Sequence, residues 1–467
     1  MLPFGFPPET GVFIMENTNQ YTAWIKTIEN NFPDLVRPAE IGLSVISQLK
    51  INDIKNPFAL VFVDVPSAGK TITLNMFSDL TELVYTTDNF TPASFVSHAA
   101  NVKKEKLEEI DLLPKIKNKV LIIRDLATIF GEREEDLLKN LGVLTRVLDG
   151  EGLELDSGLH GKRGYKGEYN FMLLAGSTPI PPRVWKMSGN LGSRLFFSQI
   201  RSKEKDENEL ADQLTSASWL QKQELCKTAT REHVDKIWNA LPNGIDWDKS
   251  KDPREFLVVI GRCAKLLARL RATINVWEDR WVKEDKESYK SSDPIIERPD
   301  RINQLLYNLA RGHSVATGRR QIDQGDLALV IDVTLDSAPR TRTNLFRLLV
   351  DNNGELLTNQ VMGTLNCSHT TAHKEMEALK VLGIVDINEG YGATGQEKNI
   401  TLKEDLSWFL SDQCKEIRSA VSNSVAAASK FVPVRFIPPE ELPASLQKYT
   451  SDKLIEDFEK AEEKGEI

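Results

Sequence analysis

Three short runs of the chain are apolar at every position: residues 59–63, 120–123 and 171–175. A strand with one wet face alternates apolar and polar residues. A continuous run demands cover on both faces, the condition of a parallel sheet between helical layers. Helical periodicities separate the runs, so residues 39–205 predict an α/β core. Residues 1–38 carry a short amphipathic pattern at 21–31 and predict an N-terminal helical extension. From 206 to 342 the continuous runs stop, and Leu, Ala, Lys, Arg and Glu recur at helical spacing, as in 255–276 and 300–316. This predicts a helical second domain, with the charged interval 278–298 as an exposed insert around a Ser-Ser-Asp-Pro loop at 291–294. Residues 343–405 give three helix-sized segments, an apolar run at 383–387, a glycine-rich turn at 390–395 and a second run at 399–402. Three helices followed by a two-stranded ribbon is the order of a winged helix. Residues 406–467 form an acidic C-terminal tail, expected to be mobile or to dock on another surface.

Composition narrows the classes. The chain has 467 residues, 40% of them hydrophobic and 27% charged, which suits two or three soluble domains. A formal charge of -9 excludes a surface coated in basic residues, so any nucleic-acid contact is local. The cysteines, Cys226, Cys263, Cys367 and Cys414, are widely spaced and form no CxxC pair. That spacing argues against a zinc cluster or a disulfide framework and for a reducing compartment. The opening residues hold no basic leader, and no stretch reaches the roughly 18 apolar residues of a membrane span. A cytoplasmic protein without a membrane partner is expected.

Candidate chemistry begins directly after the first apolar run, at Asp64-Val65-Pro66-Ser67-Ala68-Gly69-Lys70-Thr71. A strand, a tight loop and a helix N-terminus gather several backbone N–H groups around one anion. Lys70 then reaches the β- and γ-phosphates, and Thr71 binds magnesium, the pattern of a Walker A loop. Pro66, Ser67, Ala68, Gly69, Lys70, Thr71 and Ile72 are therefore the expected ATP-binding residues. The pattern carries Gly where this chain has Asp64. The second run ends in Arg124-Asp125, as a Walker B strand ends in acids that hold magnesium or polarise water. If Asp125 holds the magnesium, Leu126 stands where a catalytic Glu is expected. If Asp125 takes the Glu position, Arg124 stands where the magnesium acid is expected. Glu132 or Glu134 would then lend an acid. The third run leads into Ser177 and Thr178, with Thr178 preferred and Ser177 second as the group contacting the γ-phosphate or the water. Just before that run, residues 149–170 predict a β-hairpin whose turn carries Lys162, Arg163 and Lys166.

In this order of parts the chain resembles an AAA+ ATPase, and within that superfamily the minichromosome-maintenance (MCM) helicases and the MCM-like ATPases of mobile elements. The resemblance covers about residues 40–405 and rests on three features. Gly192-Ser193-Arg194-Leu195-Phe196 resembles the family's Ser-Arg-Phe arginine finger, a cation given by a neighbouring subunit to the γ-phosphate. Arg301 opens a helix that runs on to Gly312-His313 and resembles the sensor 2 helix, in which an early Arg reaches nucleotide and a small-His pair follows. His313 itself reads as structural. The 149–170 hairpin resembles the pre-sensor-1 hairpin, whose basic tip grips a DNA backbone in a central channel without reading sequence.

The resemblance implies a P-loop AAA+ parallel sheet (39–205), a helical lid domain (206–342) and a C-terminal winged helix (343–405). It further implies ATP and magnesium as cofactors, a homo-oligomeric ring of six, and catalytic roles for Asp125, Thr178, Arg194 and Arg301. Too few residues precede the core for the family's amino-terminal DNA-binding domain. The expected function is ATP-driven binding to, or movement on, DNA, in mobile-element replication or bacterial defence. Asp64 and the Arg124-Asp125 pair keep an alternative in place: a scaffold that assembles with ATP, hydrolyses little and recruits an effector through the winged helix and tail. In the winged helix, Ser368, His369 and His373 offer groups to a groove, whereas Glu375, Glu377, Asp386 and Glu389 make the module acidic and equally suited to protein docking.

Overall fold

The three apolar runs lie at the centre of a five-stranded parallel sheet. The computed structural model describes residues 8–88, 91–97, 106–157, 161–192, 194–202, 205–215, 218–278, 289–392 and 395–419. Strands β1 (Phe58–Val63), β2 (Val84–Thr87) and β3 (Val120–Ile123) are followed by an antiparallel ribbon, β4 (Gly152–Ser157) with β5 (Gly161–Lys166). Then come β6 (Met172–Ser177) and β7 (Leu195–Gln199), and the sheet runs in the order β2-β3-β6-β1-β7. Alternate residues of one strand serve opposite faces, as the pleat requires. Leu60, Phe62, Met172 and Leu174 join one apolar cluster; Ala59, Val61, Leu173 and Ala175 join the other.

The first face is covered by α2 (Val36–Ser47) and α3 (Lys70–Ser78), and α1 (Pro8–Asn31) packs on α2 and joins the same apolar cluster. On the second face α4 (Leu107–Ile110) leads into α5 (Leu112–Lys115), α6 (Ala127–Phe130), α7 (Glu134–Val147) and α8 (Pro182–Leu191). The amino-terminal helix is longer than its amphipathic pattern suggested, and it is part of the core. Trp24 and Ile28 are buried, and the Trp24 indole donates to Thr230 Oγ1 at 2.9 Å.

Helices α9 (Glu207–Thr215), α10 (Trp219–Ala240), α11 (Arg254–Arg271), α12 (Asp300–Ala316) and α13 (Gln324–Asp336) make up the helical segment. Apart from α9, which buries no residue, its apolar faces enter the same cluster as the first face of the sheet, so it shares a core with the α/β part and does not enclose one of its own. Two contacts fix this union. The edge strand β7 has its N–H groups satisfied from the end of α13, with Phe197 N donating to Ser337 Oγ at 2.8 Å and Gln199 N to Asp336 Oδ2 at 2.9 Å. Such pairing closes an edge that would otherwise stand open. Helix α12 also crosses α2 so closely that a Cβ at Gly312 would lie 2.1 Å from the Ser44 carbonyl oxygen. The small residue before His313 is thus required by packing.

The charged interval between α11 and α12 is not simply a loop: β8 (Val276–Glu278) pairs antiparallel with β9 (Tyr289–Ser291). Beyond α13 follow α14 (Arg340–Asp351), β10 (Glu355–Leu357), α15 (Thr358–Leu365), α16 (His369–Val381), β11 (Val385–Gly392) and β12 (Gly395–Leu402). The three helices and the ribbon stand in the expected order, and β10 adds a third strand, giving the sheet order β10-β12-β11. His369 is exposed at the start of α16, but His373 is buried against Thr358 and is not available to a groove. The Tyr289 hydroxyl of the insert donates to the Thr370 carbonyl of α16 at 3.1 Å.

His313 is structural, as expected. Its Nδ1 lies 2.5 Å from Asp326 Oδ1 and its Nε2 3.3 Å from Glu40 Oε1 where α2, α12 and α13 meet, with His313 and Asp326 buried and Glu40 half-buried. Burial opposes the charged ring, yet the two carboxylates raise its pKa to about 9. A histidine raised in the folded state adds stability that is complete below its ordinary value near 6.5 and fades as pH rises through about 9. The melting midpoint should therefore fall across that window in the wild type, and His313→Asn should flatten the fall; equal slopes would exclude this origin.

The phosphate loop and two distant arginines

The loop from Asp64 to Gly69 joins β1 to α3 at the carboxyl end of the sheet, where open α/β sheets bind their ligands. Ser67 (φ 67°) and Gly69 (φ 100°) take left-handed conformations, which turn the chain sharply into α3. Gly69 has a second reason to lack a side chain, since a Cβ there would sit 2.7 Å from Leu35 Cδ2. Leu35 supports the loop from beneath; its apolar position alone gave no sign of this. The N-terminus of α3 has no side-chain cap, so its first amides are not taken by a local side chain.

Lys70 arches back across the loop, its Nζ donating to the carbonyls of Asp64 and Val65 at 2.7 Å each. Partial burial lowers its pKa, against the opposing pull of Asp64 and Asp125. The irregular Asp64 turns its carboxylate onto its own loop, accepting from Val65 N at 2.7 Å. Pro66, Ser67 and Thr71 are exposed, Lys70 is half-buried, Ala68 is buried, and Ile72 packs against the apolar cluster. Loop shape, uncapped amides and an arched lysine suit a polyphosphate, with Thr71 in the first turn of α3 and Asp125 across from Lys70 as the groups suited to its magnesium.

The neighbouring strand ends hold Arg124 and Asp125 apart in role. Arg124 pairs with Asp88 at 2.9 Å beyond β2, and Leu126 is fully buried. Asp125 is exposed, accepts from Ala127 N at 2.8 Å and acts electrostatically on Lys70, so it is the strand-end acid that addresses the loop. Asp64 after β1 and Asp88 after β2 are also strand-end acids, the first turned onto its own loop and the second paired with Arg124. Glu132 accepts from Asn140 Nδ2, and Glu134 lies in the first turn of α7. Thr178 is partly exposed, whereas Ser177 is buried with its hydroxyl donated to the Thr178 carbonyl at 2.9 Å.

Arg194 and Arg301 come together, but not at this loop. A Cβ on Gly192 would lie 3.9 Å from Arg194 Nη1 and 3.8 Å from Arg301 Nη1, so the two guanidinium groups flank one glycine. Burial raises the pKa of Glu297, while Arg271, Arg301 and Arg194 pull it down. The pair sits at the opposite end of the sheet. Leu195 pairs with Ala59 and Gln199 with Val63, so Arg194 precedes β7 at the amino end while the loop leaves β1 at the carboxyl end. Those four strand steps alone span roughly 13 Å. A freely projecting finger is not what the chain holds: Arg194 is 8% exposed, with Nε on Asp149 Oδ1 at 2.7 Å and Nη1 on the Gly192 carbonyl at 2.7 Å. Helix α8 ends at a left-handed Gly192, which presents that carbonyl to the guanidinium. Asp149, 45 residues before its partner, left no mark in the sequence pattern.

The chain matches no family model and no curated protein.

The 149–170 hairpin exists, but its basic residues are not in the turn. Lys162, Arg163 and Lys166 all lie on β5. Lys162 stands opposite Asp156 and pairs with Glu154 at 3.1 Å, both acids on β4. The exposed Lys162 and Lys166 thus share a face with carboxylates, because a two-residue period puts alternate positions of both strands on one side. Tyr165 points the other way and donates to Asp111 Oδ2 at 2.8 Å, anchoring the ribbon. A cavity of about 480 Å³ opens beside Asp64, walled among others by Val63, Ile180, Trp185, Arg340 and Glu375. Residues 66–72 do not line it, and the phosphate loop faces outward.

Proposed function

We propose that this protein is an ATP-binding AAA+ chain, organised like the MCM-like ATPases, that works as a ring. In it, each subunit's Lys70 loop is completed by the Arg194–Arg301 pair of the next. One observation carries the reading. The two arginines cluster together at the end of the sheet remote from their own loop, where only another chain's nucleotide would meet them. An outward-facing loop supports the same view, since a bound polyphosphate there would need a cover from outside. Lys70 would hold the β- and γ-phosphates, Thr71 and Asp125 the magnesium, and Thr178 the γ-phosphate or the attacking water. Bound ATP supplies the phosphoryl group, and magnesium supplies charge neutralisation along it. Asp149 would release Arg194 to the neighbouring site, so assembly and activation would be one event. The helical segment would serve as the lid and residues 343–405 as a winged helix, with DNA held locally.

A second reading, an ATP-dependent scaffold with little hydrolysis, is favoured by Arg124-Asp125 standing in place of an acidic pair and by the hold of Asp149 on Arg194. Electron microscopy with ATP and magnesium, joined to turnover assays with and without single-stranded DNA, separates the two. Rings with DNA-stimulated turnover are expected. Rings without turnover would favour the scaffold, and particles that stay single would overturn the ring.

A further inference from the structure

Helix α11 is amphipathic, and its outer face is basic. Val259, Ile260, Cys263, Leu266, Leu267 and Leu270 are buried, while Arg254, Val258, Arg262, Lys265 and Arg269 follow one another at helical spacing on the other side. They line a groove of about 500 Å³, bounded across from α11 by Asp300 and Asn303 of α12 and by Asp405 and Leu406. Two acids therefore face four cations. Asp405 is already taken, paired with Arg269 Nη2 at 2.5 Å. Arg269 is also fixed by donating to the Gly383 carbonyl at 2.8 Å. Arg262 lies over the Trp408 ring at 5.0 Å, and neither Arg254, Arg262 nor Lys265 forms an ion pair among the described residues.

In a chain of net charge -9 such a concentration of unneutralised cations is selective. Its shape identifies the class of ligand. From Arg254 to Arg269 the stripe runs fifteen helical steps, about 22 Å at 1.5 Å each. A small anion would meet one or two of these cations, whereas a linear polyanion lying along the helix meets all of them. The ribbon β4–β5 offers a weaker surface, because Glu154 and Asp156 share the face that carries Lys162 and Lys166. We infer that the α11 groove binds the phosphate backbone of a nucleic-acid strand and supplies more of the electrostatic contact than the ribbon does. This rests on the nucleic-acid part of the function proposed above.

The test is fluorescence anisotropy of a labelled, mixed-sequence single-stranded DNA, titrated with the full chain over a range of salt. Arg262→Glu with Lys265→Glu is expected to weaken binding about tenfold or more, and to reduce the slope of log affinity against log salt by about 1.4, for two lost phosphate contacts. Lys265→Ala, a milder change that leaves the Arg262–Trp408 contact in place, should reduce the slope by about 0.7. Lys162→Glu with Lys166→Glu should cost less than the groove pair. Wild-type affinity and slope in the groove variants, with loss only in the ribbon variants, would overturn the groove and leave the ring reading standing. A wild-type chain that does not bind the strand even at low salt would overturn the groove together with the nucleic-acid part of the proposed function, and would leave the ring to the microscopy. Displacement of the DNA by poly-glutamate at equal charge concentration would reassign the groove to an acidic protein segment and overturn the proposal.

Discussion

Alanine at position 70 is expected to weaken ATP binding by about two orders of magnitude or more, the scale of losing charge-assisted contacts to two phosphates. Lys70 now spends its ammonium group on the carbonyls of Asp64 and Val65, at 2.7 Å each, and those contacts hold it arched over the loop. The backbone turn would survive the change, because it depends on the left-handed Ser67 and Gly69 and on Leu35 beneath. Isothermal titration calorimetry reads the affinity, and an unchanged melting midpoint would show that the loss is local. An affinity within twofold of wild type would remove the loop from the nucleotide site.

Arg194→Ala should do the reverse, leaving ATP binding near wild type while turnover falls about a thousandfold, the scale reported by arginine fingers in phosphoryl transfer. Arg301→Ala should behave alike, since the two cations flank the same glycine. The decisive measurement is a mixture. Chains carrying Lys70→Ala keep their arginines, and chains carrying Arg194→Ala keep their loop. In a head-to-tail ring of both, about a quarter of the seams unite an intact loop with an intact arginine. Turnover should therefore reappear on mixing two inactive proteins. A mixture as inactive as its parts would mean that loop and arginine never meet across chains.

How much of this was legible beforehand depends on what kind of constraint each residue answers to. The runs at 59–63, 120–123 and 171–175 declared the sheet because burial on two faces leaves a composition that few other settings produce. The tight turn from β1 into α3 was equally plain, as its residue types follow from backbone geometry that only a few side chains allow. Periodicity shows that a helix has an apolar side but not what covers it, so the role of α1 in the core was hidden until Trp24 was found against Thr230. The same limit hid the shared core of the helical segment. The ribbon β8–β9 has three residues per strand, too few for an alternating pattern to stand out within a charged stretch. Lys162, Arg163 and Lys166 were found as a basic group, but the acid that pairs with Lys162, Glu154, comes from cross-strand register with the other half of the hairpin. Arg194 was found by its short motif, and its tether to Asp149 is a tertiary contact that no local spacing encodes.

The crossing of α2 and α12 at Gly312 bears on how such a machine would move. The main chain of α12 lies against the Ser44 carbonyl there, with only the Gln48 side chain beside the contact. A joint of that kind has no slack. The sheet and the helical segment would then travel together as one lever arm, and any stroke begun at the Lys70 loop would be felt at the seams between chains. Hinge flexibility within a chain would have to be sought elsewhere, and in the proposed ring a strain gauge would belong at the arginine seam.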